Sequence, residues 1–163
     1  MNLLIRFLAD GLVVPVVLIG AYVLLVKVPK GHRLESYARV IMAGLTALLF
    51  GELVGSFWQP DVARPFVELG VAAKAAYLVN AGFPSLHVLF CAATSLAVWF
   101  EAKQRKTAVF LLVLTILIAI GRVLALVHTP LDVAGGFVFA GFGGLWYFTA
   151  PSFSARKNSK HAV

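Results

Sequence analysis

Five apolar runs, bounded by proline, glycine and charge, divide the chain near residues 11–28, 38–58, 86–101, 107–127 and 131–149. A bilayer-crossing helix needs roughly 20 apolar residues, and hydrocarbon leaves no water for open backbone groups. All five runs are therefore predicted to be helical spans. Arg6 and Asp10 lie one helical turn apart within residues 1–10, which predicts a short interfacial helix before the first span. The long loop 59–84 joins the second and third runs, and its Ala-rich stretch from Val67 to Val79 predicts a second interfacial helix. The expected fold class is all-α: a polytopic membrane helical bundle of about five transmembrane helices plus short interfacial helices, forming a single domain over 1–163 with a polar tail at 151–163.

Composition agrees with the pattern. Hydrophobic side chains make up 61% of the chain and charged ones 13%, against roughly half and a quarter in soluble globules. No A-x-A-like cleavage site follows the N-terminal apolar run and Lys27 ends it, so an uncleaved first span is expected. Cys91 is the only cysteine, so no disulfide forms within the chain. The net charge of +7 sits in short clusters between apolar runs. That distribution speaks for membrane topology and against a nucleic-acid partner. Segments 27–39, 102–106 and 151–163 hold ten of the fourteen Lys and Arg residues. With five spans they share one side, which the positive-inside rule makes cytoplasmic. The N-terminus and the loop 59–84 are then expected outside.

Four basic residues break the trend: Arg6, Arg64, Lys74 and Arg122. His32 and His161 fall in cytoplasmic segments, while His87 and His128 fall at the outer ends of the third and fourth spans. On that outer level stand Arg64-Pro65, Pro84-Ser85-Leu86-His87, Arg122, His128 and Asp132. Ionisable groups at membrane depth are costly and usually face a functional cavity, and this set suits a phosphate. Arg offers planar bidentate donors. A helix starting at Ser85 would present free N–H groups. Two histidines supply a nucleophile and a general acid without a metal. His128 and Asp132 are four residues apart and meet if Thr129-Pro130 leads into a helix.

The order Arg64-Pro65, Pro84-Ser85-x-His87, Arg122-x5-His128-x3-Asp132 resembles the three signature motifs of the type 2 phosphatidic acid phosphatase superfamily, over residues 57–132. The resemblance implies that His128 attacks phosphorus and becomes phosphohistidine, that Asp132 orients it and that His87 protonates the leaving group. Arg64, Arg122 and Ser85 would then hold the phosphoryl oxygens. No cofactor and no metal are implied. The runs Ala-Arg-Pro-Phe-Val at 63–67 and Gly-Phe-Pro-Ser-Leu-His at 82–87 look most like the undecaprenyl-diphosphatase-like branch. The implied protein is a lipid phosphatase of a bacterial plasma membrane, its partners a lipid phosphate substrate and membrane lipids, its site facing outside. Phosphatidylglycerophosphate or phosphatidate hydrolysis and head-group transfer are the neighbouring activities.

Three positions depart from the family pattern: Phe57 stands where the first motif has Lys, Leu86 where the second has Gly, and Gly121 where a Ser precedes the third-motif Arg. Lys74, between the first two motifs, is the candidate replacement cation. Outside this reading, paired histidines in a helical bundle could ligate haem, but haem needs neither Ser85 nor two arginines. A transporter would be expected to show matched halves, which are missing. Cys91 lies a turn deeper than His87 in hydrocarbon, where a thiolate is disfavoured. Glu52, inside the second run, would either steady a site arginine or stay neutral against a neighbouring helix. Gly136, Ala140 and Gly144 continue the Asp132 face in four-residue steps, a stripe suited to close helix packing.

Overall fold

The computed structural model describes residues 2–60, 63–77 and 82–149, so the polar tail lies outside the described residues. Among these residues the chain is all helical. Its helices are α1 (Asn2–Arg6), α2 (Val13–Lys27), α3 (Arg33–Phe57), α4 (Pro65–Glu68), α5 (Leu86–Phe100), α6 (Arg105–Leu124) and α7 (Pro130–Gly143). A π-helical turn at Phe7–Gly11 joins α1 to α2, and a 3₁₀ turn at Gly144–Phe148 extends α7.

Among the described residues four helices are long and apolar enough to cross a membrane: Leu3–Lys27, Lys30–Phe57, Arg105–Leu124 and Pro130–Phe148. The remaining apolar run, the third at 86–101, folds as α5, with 15 residues. At 1.5 Å per residue it is about 22 Å long, shorter than the hydrocarbon layer. The chain is an integral membrane protein, and its burial is that of a membrane bundle. Large apolar side chains such as Leu18, Leu49, Val113 and Val138 face outward, where lipid and not water surrounds them.

Two expected elements differ. The N-terminal residues form no separate interfacial helix; they continue through the π-turn into the first span. The interfacial helix expected over Val67–Val79 ends at Glu68, because Gly70 adopts a left-handed φ of 63° that turns the chain out of helix. From there the backbone pairs with the loop between α6 and α7. Phe66 and Lys74 donate their N–H groups to the carbonyls of Leu126 and Ala125, at 3.0 and 3.3 Å. The end of the stretch, residues 78–79, lies outside the described residues.

Helix α5 is the centre of the bundle and packs on α2, α6 and α7, while α3 packs on α7. Lipid tails are as apolar as leucine, so close backbone approach replaces the hydrophobic drive between helices. The small-residue stripe serves this. A Cβ added at Gly136 would fall 2.8 Å from the Ser85 carbonyl oxygen. That contact fixes the start of α5 against the first turns of α7. Glu52, by contrast, is exposed on the outer surface of α3.

The bonds Asp10–Arg122, Gln59–Phe83 and Ser85–Asp132 at one end and Arg39–Glu101 at the other show that α2, α3, α5, α6 and α7 alternate in direction. The N-terminus, the end of α3, the start of α5, the end of α6 and the start of α7 consequently gather at one end of the bundle. Lys27, Lys30, Arg33, Arg39, Lys103, Arg105 and Lys106 belong to the other.

Candidate active site

The α6–α7 connection is the frame of the site. Leu126 turns in the left-handed region, with φ 62°, a conformation a branched side chain rarely adopts. Past it, Thr129 caps α7: its hydroxyl accepts the Asp132 N–H at 3.3 Å, and its own N–H donates to Asp132 Oδ2 at 2.8 Å. This reciprocal capping box fixes the Asp132 carboxylate. The same Oδ2 lies 3.3 Å from His128 Nδ1, so the local turn predicted from Thr129-Pro130 does bring the pair together. Both residues are buried. With Nδ1 facing the carboxylate, Nε2 is the nitrogen left for chemistry.

Burial is the largest influence on the His128 ring and holds its pKa below the ordinary 6.5. The charges of Arg122 and Arg64 act in the same sense, and together these outweigh the opposing hydrogen bond and charge of Asp132. At neutral pH the imidazole is uncharged and has a lone pair to offer.

The other motif residues converge on this frame. Arg64 Nη1 donates to the Val127 carbonyl, one residue before His128, and its guanidinium lies 5.6 Å from the Tyr77 ring centroid. Ser85 donates its N–H to the Asp132 carbonyl at 3.0 Å, which ties the start of α5 to α7. Ser85 occupies the N-cap position of α5 but makes no capping bond with its side chain. Its Oγ is buried without a hydrogen-bond partner among the described residues, and so is Arg122 Nε. Buried polar groups are nearly always paired. Two such unpaired donors lie at one end of the bundle, and each has a hydrogen bond to offer. His87, half-buried in the first turn of α5, has Arg122, Asp10 and His128 as the ionisable groups acting on its ring.

Lys74 belongs to the segment that folds over the α6–α7 connection, as its backbone bond to Ala125 shows. Phe57 is 85% exposed at the end of α3. Cys91 is part of an apolar core with Val16, Leu111 and Ile118. Among the described residues no group of three His, Cys, Asp or Glu side chains is placed to hold a metal ion.

Two supporting residues had no place in the site read from the sequence. Gln59 uses its side-chain amide on both backbone groups of Phe83, accepting from N–H and donating to the carbonyl, each at 3.1 Å. It thereby holds the segment that delivers Pro84 and Ser85. Asp10 accepts from Arg122 Nη1 at 2.8 Å across 112 residues of sequence.

Helices of membrane-crossing length define an integral membrane protein, and buried His, Asp, Arg and Ser side chains gather at one end of its bundle. A family profile described as the PAP2 superfamily matches residues 36–156, and the chain belongs to that superfamily. It is 26% identical over 152 residues to the lipid A 4'-phosphatase of Bacteroides thetaiotaomicron, covering 88% of this chain and 68% of the relative. It is 30% identical over 152 residues to the bacitracin transport permease protein BcrC of Bacillus licheniformis, covering 91% and 67%. No solved structure matches the chain.

Proposed function

We propose that this chain is a membrane lipid phosphatase that hydrolyses a lipid pyrophosphate, undecaprenyl diphosphate foremost, through a phosphohistidine intermediate at the outer membrane face. The observation that carries the reading is the pair of buried donors without partners, Ser85 Oγ and Arg122 Nε, beside the His128–Asp132 contact. A phosphoryl group accepts from such donors, and the neutral imidazole attacks it. Superfamily membership and the lipid A 4'-phosphatase relative support a lipid phosphate as substrate. The outward orientation rests on the basic residues at the opposite end of the bundle.

His128 Nε2 forms a bond to phosphorus as the bond to the leaving oxygen breaks, and His87 gives that oxygen its proton. Asp132 stabilises the charged ring that results, in the manner of a triad carboxylate. Arg64, Arg122 and Ser85 hold the equatorial oxygens, which carry the charge of the transition state. Water, giving a proton to His87, then attacks the phosphohistidine. Inorganic phosphate leaves and both histidines are restored. These groups complete the cycle without a metal, so turnover is expected to survive EDTA, and vanadate is expected to inhibit by filling the phosphoryl position.

A second reading, a lipid phosphomonoester as substrate, is favoured by the charge balance. Asp10 and Asp132 offset Arg122 and Arg64. A diphosphate needs a further cation, and Lys74 is the residue proposed to supply it.

The test offers purified full-length protein undecaprenyl diphosphate, phosphatidate, phosphatidylglycerophosphate and lipid A side by side and measures released phosphate. Fastest release from undecaprenyl diphosphate is expected. Preference for a monophosphate lipid would move the assignment to the second reading, and no release from any of them would overturn both.

A further inference from the structure

The N-terminal helix takes no part in the chemistry above, yet one of its side chains reaches Arg122. Asp10 lies in the π-helical turn Phe7–Gly11. Such a turn inserts an extra residue into a helix, re-aims its side chains and is frequent at functional sites. Asp10 bridges two elements: Oδ1 accepts from Arg122 Nη1 at 2.8 Å and Oδ2 accepts from the Ala76 N–H at 2.9 Å. The Ala76 carbonyl accepts from the same Arg122 Nη1 at 2.7 Å. Two acceptors thus grip one nitrogen of the guanidinium and are themselves tied together by the Ala76 N–H, while Nε is buried without a partner among the described residues. The arginine is held by its far nitrogen, and the Nε edge is left for a ligand.

Gly121 explains how Asp10 arrives there. A Cβ at this position would fall 2.6 Å from the Ala9 backbone nitrogen and 2.7 Å from the Leu8 carbonyl carbon. Only glycine lets the π-turn lie directly on α6, one residue before Arg122. The departure from the usual Ser at this point of the motif and the Asp10 contact are one arrangement.

We propose that Asp10 is the positioning residue of Arg122, holding its guanidinium so that the Nε edge meets a phosphoryl oxygen. The proposal rests on the phosphatase reading. A carboxylate also turns Arg122 from a free cation into a directed donor pair. This lowers the charge of the pocket while keeping its geometry.

The experiment measures kcat, KM and the vanadate inhibition constant of the full-length protein with phosphatidate as probe substrate, together with thermal unfolding in the same detergent. Asp10→Ala is expected to keep the parent's unfolding profile and to lower kcat/KM roughly 10- to 100-fold, the scale of an ångström-level misplacement. The vanadate inhibition constant should rise about tenfold with it. Asp10→Glu, which keeps the charge and shifts the carboxylate by one methylene, is expected to recover part of both losses. A folded Asp10→Ala with the parent's kcat/KM and vanadate inhibition overturns the proposal. Should that variant not fold, Asp10→Glu decides: a severalfold weaker vanadate inhibition supports positioning, and an unchanged one overturns it. His128→Ala separates the two levels of the argument. Turnover that survives it overturns the His128 mechanism of the proposed function and this proposal together, whereas its loss alongside an unaffected Asp10→Ala overturns this proposal alone.

Discussion

Each end of the bundle holds an arginine paired with a carboxylate from a distant element, and the two pairs are built differently. At the basic end, Arg39 of α3 meets Glu101 at the close of α5 through two bonds, Nε to Oε1 at 2.7 Å and Nη2 to Oε2 at 2.9 Å. The fork is filled, and Ser36 Oγ lies 3.5 Å from Nη2 as well. At the site end, Asp10 takes only Nη1 of Arg122, and Nε is left open. A closed pair joins helices. An open pair holds an arginine ready for something else. The same chemistry becomes a clasp or a binding group according to how many donors the carboxylate consumes.

The comparison is broken most strongly by exchanging each arginine for lysine. Arg122→Lys keeps a positive charge but loses the planar edge, and is expected to lower kcat/KM about 100-fold or more. Arg39→Lys is expected to leave kcat/KM within about twofold and to lower the unfolding temperature. Kinetics and thermal unfolding on both variants check this, and equal losses of activity would dissolve the distinction.

Next in size is the clasp itself. Glu101→Gln removes the charge that Arg39 faces, and is expected to cost about 2 kcal/mol in denaturant unfolding, below the 3–5 typical of fully buried pairs because Arg39 remains partly exposed. The activity of the folded fraction should not change.

The two ends also titrate in different windows. Burial alone would raise the Glu101 pKa, but its hydrogen bonds from Arg39 and Ser36 outweigh that and hold it below 4.5. A carboxylate with a depressed folded pKa stabilises fully above the unfolded value and loses that contribution as pH falls through the folded one. The clasp should therefore weaken only below about pH 4.5. The proposed mechanism requires a neutral His128, and burial holds its pKa below 6.5. The acid limb of kcat/KM should have its midpoint under that value. Asp132 opposes the lowering, so Asp132→Asn should slow turnover and move the midpoint lower still. A limb above pH 6.5 would contradict the assignment.

The smallest effect concerns Lys74. Lys74→Ala is expected to slow hydrolysis of undecaprenyl diphosphate severalfold more than that of phosphatidate, as measured by phosphate release. Equal rates relative to the parent protein on both substrates would remove Lys74 from the pocket.

Much of this was legible in the chain because the signals were local or periodic. Apolar runs gave the helices, Thr129-Pro130 announced the turn that joins His128 to Asp132, and the Gly136 stripe foretold the packing of α7. Asp10 and Gln59 were invisible for the opposite reason. Their partners lie 112 and 24 residues away, and the one local signal, the Arg6–Asp10 spacing, pointed to an interfacial helix and not to Arg122. The stretch after Glu68 misled because alanine favours helix, while the left-handed Gly70 and the backbone pairing with Ala125 and Leu126 overrode that preference. Gly121 looked like a lost serine and is instead the contact point of the π-turn.

The central claim is that the open end of the bundle performs phosphoryl transfer through His128. Rapid quenching of turnover with lipid labelled in its terminal phosphate, followed by peptide mapping under alkaline conditions, tests it directly. Label is expected on His128 alone, absent in His128→Ala and accumulating when the water step is slowed. Label on any other residue, or full turnover in His128→Ala, would contradict the account.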